Sequence, residues 1–524
     1  MKHGAVSDLR MNTNRDIHGF VAGLIIVVAV TGLVPASEPT GPRNLLSDEG
    51  KLEAFIDRIV TNRVQGSHVP GAVVTVVKGD QVVFNKGYGF ANLEQHMPVH
   101  SDKTLFRIAS VSKFFNAMAV MRLVDEGLID VKEDVRPRLA AAGLELDNKA
   151  EGPVTLKALL THTAGIRDLH IPEVTSTKDP SQVLPLGSYL KKCLPLRWQA
   201  PGETVLYTDH GITLAGYVVE IASKTRFEEA VLQRVMRPLG MNHTGYAVPE
   251  EQRTNLAVAY TYRDSGYKAI PFLYNNVDPA TGVLTTGSDM ARLMICHLSG
   301  CKSFLKPQTV KLMHQPQHAD DARLGVQWTY GFVYETHPRG KEPYLFHIGY
   351  AYGFQSILGI SLNRGIGVFA AQNLRGPRVF QLTDLLDGLS GDEAKTGSVK
   401  PAQPSVAAAP VMADIKSVTG TYVLNRTLSR GIKIAKEDYV YVRYVEDIKG
   451  IEVEYWQTRE SPMRLTQVAP LLFQSVKGDE QVSFRTSKDG KTTYLIDYYV
   501  REDGAFRRIS PLDRATVPEG HQPE

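Results

Sequence analysis

At 524 residues the chain is long enough for two or more domains, and 43% hydrophobic with 22% charged residues is ordinary for a globular protein. A formal net charge of +3, with the basic residues dispersed, argues against a nucleic-acid-binding surface. Three cysteines are too few for a disulfide framework, and no Cys/His spacing resembles a zinc site.

The first residues are polar, with Lys2, Arg10 and Arg15. Phe20 to Val34 is an apolar run of signal-peptide length, and Val34-Pro35-Ala36 offers small residues for cleavage after Ala36. The long polar stretch before it points to Met11 as the start. The expected arrangement is a signal peptide over residues 1–36 and a secreted or periplasmic body. The alternative is a membrane anchor through residues 20–34, with the body still outside the cytoplasm. A helix capped by Ser47 carries Leu52, Phe55, Ile56, Ile59 and Val60 on one stripe. Residues 69–92 read as two strands joined at Gly79-Asp80, where glycine tolerates the positive φ of a tight turn.

In residues 105–127 a strand-like run, Leu105 to Ile108, meets a helical run with one buried face of Phe114, Phe115, Met118, Met121, Leu123 and Val124, stopped at Gly127. Ser110 falls at the junction, and Lys113 lies one turn further on, on the same face. A serine hydroxyl is a poor nucleophile until a neighbour takes its proton, and an amine of lowered pKa can do so. The tetrad alone is weak, because Ser-x-x-Lys arises about once or twice by chance in a chain of this length. Ser303 to Lys306 is a second instance.

Residues 154–166 read as a short helix closed by Gly165, with His162 a structural histidine bonded to a backbone group. Residues 171–200 lack clean periodicity and suit a long loop walling a site. Tyr207 falls just before a helix marked by Ile212, Leu214, Ala215, Val218, Val219 and Ile221. Another helix ends at Pro238-Leu239-Gly240-Met241, and residues 281–298 form a turn and a helix with Asp289 in its first turn. Cys296 and Cys301 are spaced to pair across that helix end in an oxidising compartment. The preferred reading keeps all three cysteines as buried thiols. Leu345–Phe346 and Phe354–Ile360 read as strands around His347-Ile348-Gly349, followed by a strand over Ile366–Ala371. Residues 391–414, rich in Ala, Pro and Ser, read as a linker between a body over 37–390 and a β-domain over 415–512, with a tail from 513. In the β-domain strand-like runs recur at 439–444, 451–456, 471–473, 482–484 and 494–499, with Asp489-Gly490 as a hairpin turn, which suits an antiparallel barrel or sandwich.

The order Ser110-Val-Ser-Lys113, Tyr207-Thr-Asp209, His347-Ile-Gly349 resembles the penicillin-recognising serine hydrolases. It is most similar to the class C β-lactamase-related group, which also holds D-aminopeptidases, D-alanyl-D-alanine carboxypeptidases and esterases. VPGAVV, GYGFAN, TLKALLTHTAGI, PGETVLY and PLGM all occur in that group's order, over roughly residues 52–375. The resemblance implies an α+β fold, an antiparallel sheet flanked by helices plus an all-helical lobe, with the site between them. It implies Ser110 as the acylated nucleophile, Lys113 as its base alone or with Tyr207, and Tyr207 as the proton relay to the leaving group. It further implies an oxyanion hole from the backbone N–H groups of Ser110 and Tyr350, and His347 beside Gly349 orienting substrate along a strand edge. No metal or cofactor is implied. The partner is a small peptide or ester substrate, and the oligomeric state is left open.

Two positions depart from the group. Asp209 stands where asparagine is usual, and a carboxylate cannot donate to a substrate carbonyl. It is expected either to pair with Lys113 or to receive a cationic substrate group. His347 stands where β-lactamases carry lysine, so a constant positive anchor for a substrate carboxylate is missing. The expected function is a serine hydrolase of an amide or ester, foremost a small or D-residue-containing peptide. A carboxylesterase or weak β-lactamase is the alternative within the group, and a catalytically silent peptide- or peptidoglycan-binding envelope protein the alternative outside it.

Overall fold

The computed structural model describes residues 45–46, 48–374 and 389, and residues 415–508, apart from 147–150, 167, 169–174, 194–196, 248–249, 264–265, 336–342, 416, 425–438, 456–461, 476–479 and 498–505. The signal or anchor segment, Ser47, the linker over 391–414 and the tail lie outside the described residues. Among the described residues no helix is long and apolar enough to cross a membrane.

The body is built on an eight-stranded antiparallel sheet. Its strands are β1 (Gly71–Lys78), β2 (Gln81–Asn92), β3 (Met97–Pro98), β4 (Val326–Trp328), β5 (Val333–Glu335), β6 (Tyr344–Ala351), β7 (Phe354–Ser361) and β8 (Ile366–Gln372), in the order β4-β5-β6-β7-β8-β1-β2-β3. Gly79 turns the β1–β2 hairpin at a φ of 60°. The central strand β1 is buried on both faces, because helices cover both. On one face Val74, Val76, Val368 and Ala370 meet Leu52, Ile56 and Val60 of helix α1 (Glu49–Gly66). On the other, Val73, Val77 and Phe369 join the large helical core. At the start of α1, Asp48 Oδ1 accepts from the Lys51 N–H at 3.1 Å.

Helix α2 (Ser112–Asp125) departs from the expected one-faced pattern. Its residues 112–121 and Leu123 are all buried, so it is a central helix enclosed on every side. Its polar positions are matched to backbone: Asn116 Nδ2 donates to the Ile212 carbonyl at 2.8 Å, and Ser112 Oγ accepts from the Val283 N–H at 3.0 Å. The enclosing helices include α3 (Asp209–Ser223) and the Phe227–Val231 helix. Helix α4 (Gly287–Leu298) packs on β1 and β8 instead, with Asp289 in its first turn. A disulfide joins Cys296 in the last turn of α4 to Cys301 just beyond it, correcting the buried-thiol reading, whereas Cys193 is a buried free thiol. The helix expected over 154–166 is also shorter. It spans Leu156–Leu160, capped by Thr155, and His162 leaves it at a φ of 57°.

The C-terminal domain is a closed barrel of eight consecutive antiparallel strands. They are β9 (Gly420–Leu424), β10 (Tyr439–Val445), β11 (Gly450–Tyr455), β12 (Met463–Ala469), β13 (Leu472–Ser475), β14 (Gln481–Thr486), β15 (Thr493–Asp497) and β16 (Phe506–Arg508), with β9 pairing β16 to close it. Val442, Ile451, Val453, Leu465, Phe473, Phe484 and Leu495 belong to one buried cluster that forms its core.

The His347-Ile348-Gly349 segment lies inside one continuous strand, β6, not between two strands. A Cβ on Gly349 would stand 2.1 Å from the Ile108 carbonyl oxygen and 2.6 Å from Ser356 Oγ, which itself donates to that carbonyl at 2.7 Å. β6 therefore runs against the backbone leading to Ser110 only because position 349 has no side chain. Gly349→Ala is expected to cost about 1–3 kcal/mol through forced separation of the two segments. Thermal denaturation checks this, and an unchanged midpoint contradicts the close approach.

Candidate active site

Ser110 sits in a 3-10 turn, Ala109–Val111, directly before α2. The short strand Phe106–Arg107, paired with Leu284–Thr285, delivers the chain to it, and Ala109 adopts a φ of 48° to make the turn. Lys113 is one turn into the helix and 1% exposed. Its Nζ donates to Ser110 Oγ at 2.9 Å, to Asp209 Oδ1 at 2.6 Å and to the Ala280 carbonyl at 3.2 Å. The Nζ also lies 4.9 Å from the centre of the Tyr207 ring. Lys113 and Ser110 both hydrogen-bond the Tyr207 side chain. Four of the residues singled out in the sequence, Ser110, Lys113, Tyr207 and Asp209, thus form one contact cluster.

Asp209 takes the first of the two expected courses. It is the first residue of α3, behind the N-cap Thr208, and pairs with Lys113 rather than standing open for a substrate amine. The next residue fastens this helix start. His210 Nδ1 donates to Asp168 Oδ1 at 2.6 Å and its Nε2 bonds the Tyr189 hydroxyl at 2.9 Å, all three side chains being buried.

The electrostatics follow from this packing. Burial alone lowers the Lys113 pKa, but Asp209 and then Tyr207 outweigh it and hold the ammonium above its ordinary value. Tyr207 is pushed up, first by burial; Lys113 opposes this and Asp209 adds to it. His347 is pushed down to about 3, first by burial and next by the Lys113 charge, so its imidazole is neutral at pH 7. Its Nδ1 donates to the Ile348 carbonyl at 3.0 Å. Tyr350 follows Gly349 on β6, half-buried, and its hydroxyl accepts from Gln355 Nε2 at 3.3 Å.

His162 does more than the structural reading gave it. Its Nδ1 accepts from the Thr208 N–H at 3.3 Å, as a backbone-bonded histidine should. Its ring also packs on the Tyr207 ring, centroids 4.3 Å apart, and meets Trp328 at 4.9 Å. Its left-handed backbone, which no periodicity signals, is what turns the ring under the tyrosine. The second Ser-x-x-Lys tetrad is unrelated to the site, since Ser303 is exposed and Lys306 Nζ donates to the Asp125 carbonyl at 2.6 Å.

Two other features stand apart from this cluster. Cys296, His297 and Cys301 bring ligand-type atoms within 4.8 Å of one another, but the disulfide commits both sulfurs and leaves no thiolate for a metal. A cleft of about 710 Å³ lined by Pro307, Val310, His314, Tyr334, Leu345 and Ile360 contains none of the residues around Ser110.

The profile of the family described as Beta-lactamase matches residues 56–390, which carry the whole cluster. The chain belongs to the Beta-lactamase family. It is 30% identical over 290 residues to a protein named Beta-lactamase from Escherichia coli K12, covering 54% of this chain and 69% of that one. It is 24% identical over 340 residues to Protein flp of Staphylococcus aureus N315, covering 63% of this chain. The chain spans 65% of the length of that staphylococcal relative. The fold is shared with an octameric penicillin-binding protein homologue from Pyrococcus abyssi, with a TM-score of 0.56, 21% identity, and coverage of 88% of this chain and 100% of that one. The Beta-lactamase family belongs to a superfamily of serine hydrolases.

The buried ion pair has a signature in stability. Lys113 has a higher pKa folded than unfolded, so its contribution is full below its ordinary value and is lost as pH rises through the folded one. Asp209→Asn is expected to cost roughly 3–5 kcal/mol near pH 7, the range for leaving one member of a buried pair alone. The deficit against the parent protein should be level through neutral pH and shrink at strongly alkaline pH. Urea unfolding across that range measures it, and a deficit that grows with pH contradicts the pairing.

Proposed function

We propose that the chain is a serine hydrolase working through a covalent ester on Ser110, with an uncharged small peptide amide or acyl ester as substrate. The observation that carries this is the single ammonium of Lys113 holding both Ser110 Oγ and Asp209 under the Tyr207 ring. Lys113 and Tyr207 titrate as a coupled set in the field of Asp209, and the reactive form is the one with a proton fewer on Lys113 or Tyr207. In that form the Ser110 proton passes to the set as Oγ attacks the carbonyl carbon. The same proton goes to the leaving nitrogen or oxygen as its bond to the acyl carbon breaks. Water then attacks the ester, and Ser110 regains its proton. The N–H groups of Ser110 and Tyr350 are assigned to the oxyanion, a role consistent with the close approach at Gly349.

Substrate class follows from charge. Asp209 is neutralised by Lys113, so it offers little to a substrate amine, which removes the main reason to expect an amine-bearing substrate. A neutral His347 offers no cation to a carboxylate, which disfavours penicillins and cephalosporins. The disulfide supports placing the body in a secreted or periplasmic compartment.

Ser110→Ala is expected to lower kcat/KM on a neutral acyl ester roughly 10³-fold or more, while Ser303→Ala leaves it unchanged. A cephalosporin should be the poorest member of a panel with that ester and a blocked dipeptide amide. Full activity in Ser110→Ala, or a cephalosporin as the best substrate, sinks the reading. The pH profile provides a separate test. Asp209 raises the pKa of both Lys113 and Tyr207, so Asp209→Asn lowers both. The acid limb of fluorophosphonate labelling at Ser110 should therefore move to lower pH in that variant. A limb that stays or moves up contradicts the coupled set.

A further inference from the structure

The loop that presents Tyr207 is held from two sides, and one of them is the barrel. On the body side, the Gly202 N–H donates to the Thr163 carbonyl at 2.7 Å and the Leu206 N–H to the His162 carbonyl at 2.8 Å. On the other side, Arg485 of β14 donates through Nη2 to the Glu203 carbonyl and lies 3.5 Å from Glu203 Oε1. Its Nη1 is 3.8 Å from Asp320 Oδ1. Asp320 in turn accepts from the Val205 N–H at 3.0 and 3.2 Å and from His318 Nε2 at 3.0 Å. The Lys488 N–H, on the turn after β14, donates to Glu203 Oε1 at 3.3 Å.

We propose that Arg485 is a positioning residue for Tyr207: the barrel, through this guanidinium, fixes the 203–206 segment and so sets the tyrosine over Ser110 and Lys113. Glu203 on this loop and Asp320 on the separate segment that holds it are both largely buried, and two buried carboxylates facing one point repel unless a cation lies between them. A planar guanidinium can serve both at once, which an ammonium does less well. The contact is part of a wider seam. Leu324 of the body packs with Leu472, Tyr494 and Ile496 of the barrel, and Arg323 Nη1 donates to the Pro470 carbonyl at 2.8 Å. Only three residues separate Glu203 from Tyr207, and both intervening N–H groups named above are tied down. Release at Glu203 therefore reaches the phenol through a chain segment with little slack. The inference rests on Tyr207 belonging to the reacting set.

The test uses the full chain and two readouts. Hydrogen exchange of the peptide spanning 203–207 reads the position of the loop without requiring any turnover. Fluorophosphonate labelling of Ser110 across pH reads the chemistry. In Arg485→Ala, exchange of that peptide is expected to rise while peptides from α2 stay protected. The labelling rate is expected to fall about 10- to 100-fold, with a shifted pH profile. Arg485→Lys should recover part of both, which guards against loss through misfolding. Arg443→Ala, at an exposed barrel pair with Glu452 and Glu454, should change neither. Unchanged exchange in Arg485→Ala overturns the positioning role. Raised exchange with wild-type labelling and pH profile overturns the link to Tyr207. A parent protein that never labels refutes the proposed function instead, and the exchange comparison still decides whether Arg485 holds the loop.

Discussion

The structure depends on one buried ion pair. Lys113 enters from the central helix and Asp209 from the start of α3, and they meet at 2.6 Å with 1% and 12% of their side chains exposed. Two charges removed from water are costly, and their mutual attraction compensates only if the remaining hydrogen-bonding positions are also filled. Here they are. The ammonium also donates to Ser110 Oγ and the Ala280 carbonyl, and a tyrosine ring lies near it. The arrangement fixes the distance between two helices and the orientation of a serine at the same time. Its chemical consequence is a lysine held charged, so the serine is not beside a free amine at rest. In the proposed reaction, activation is a property of the coupled set, and the site offers a substrate little net charge.

Tyr207 is the second half of this construction, and it is positioned from outside the helices. Its ring is backed by His162 and Trp328, and its loop is gripped by Asp320 and the barrel. Among its described residues the C-terminal domain shows no nucleophile constellation of its own, yet it touches the body where the tyrosine loop begins. An accessory domain can thus influence a site by fixing a segment rather than by supplying a reacting group.

Much of this was legible in the sequence, for identifiable reasons. The β1–β2 hairpin shows itself through an apolar run broken by Gly79-Asp80. Ser110, Lys113 and Tyr207 show themselves through their order, since each marks a junction between elements. Other features were not legible. Pairing with Lys113 was one of two courses open to Asp209, and the choice between them, across 96 positions, is decided by how two helices cross. The enclosure of α2 was hidden because Ser112 and Asn116 look like a polar face, although both are satisfied by distant backbone. Three barrel strands, β9, β12 and β16, carry little signal in the sequence. β12 reads MRLTQVA, in which only Met463 and Leu465 are fully buried, and β16 is three residues long. The continuity of β6 through His347 was masked by Gly349, which looks like a strand end until the Ile108 carbonyl is seen against it.

The central claim is that Lys113 rests as an ammonium held by Asp209. It is tested most directly by nitrogen-detected NMR of lysine side chains, with Lys113 assigned by comparison with Lys113→Arg. The account predicts an ammonium signal for Lys113 at pH 7 that persists beyond the pH at which exposed lysines titrate, and that loses this persistence in Asp209→Asn. A neutral amine at pH 7 in the parent protein would contradict it and restore Lys113 as a free base beside Ser110.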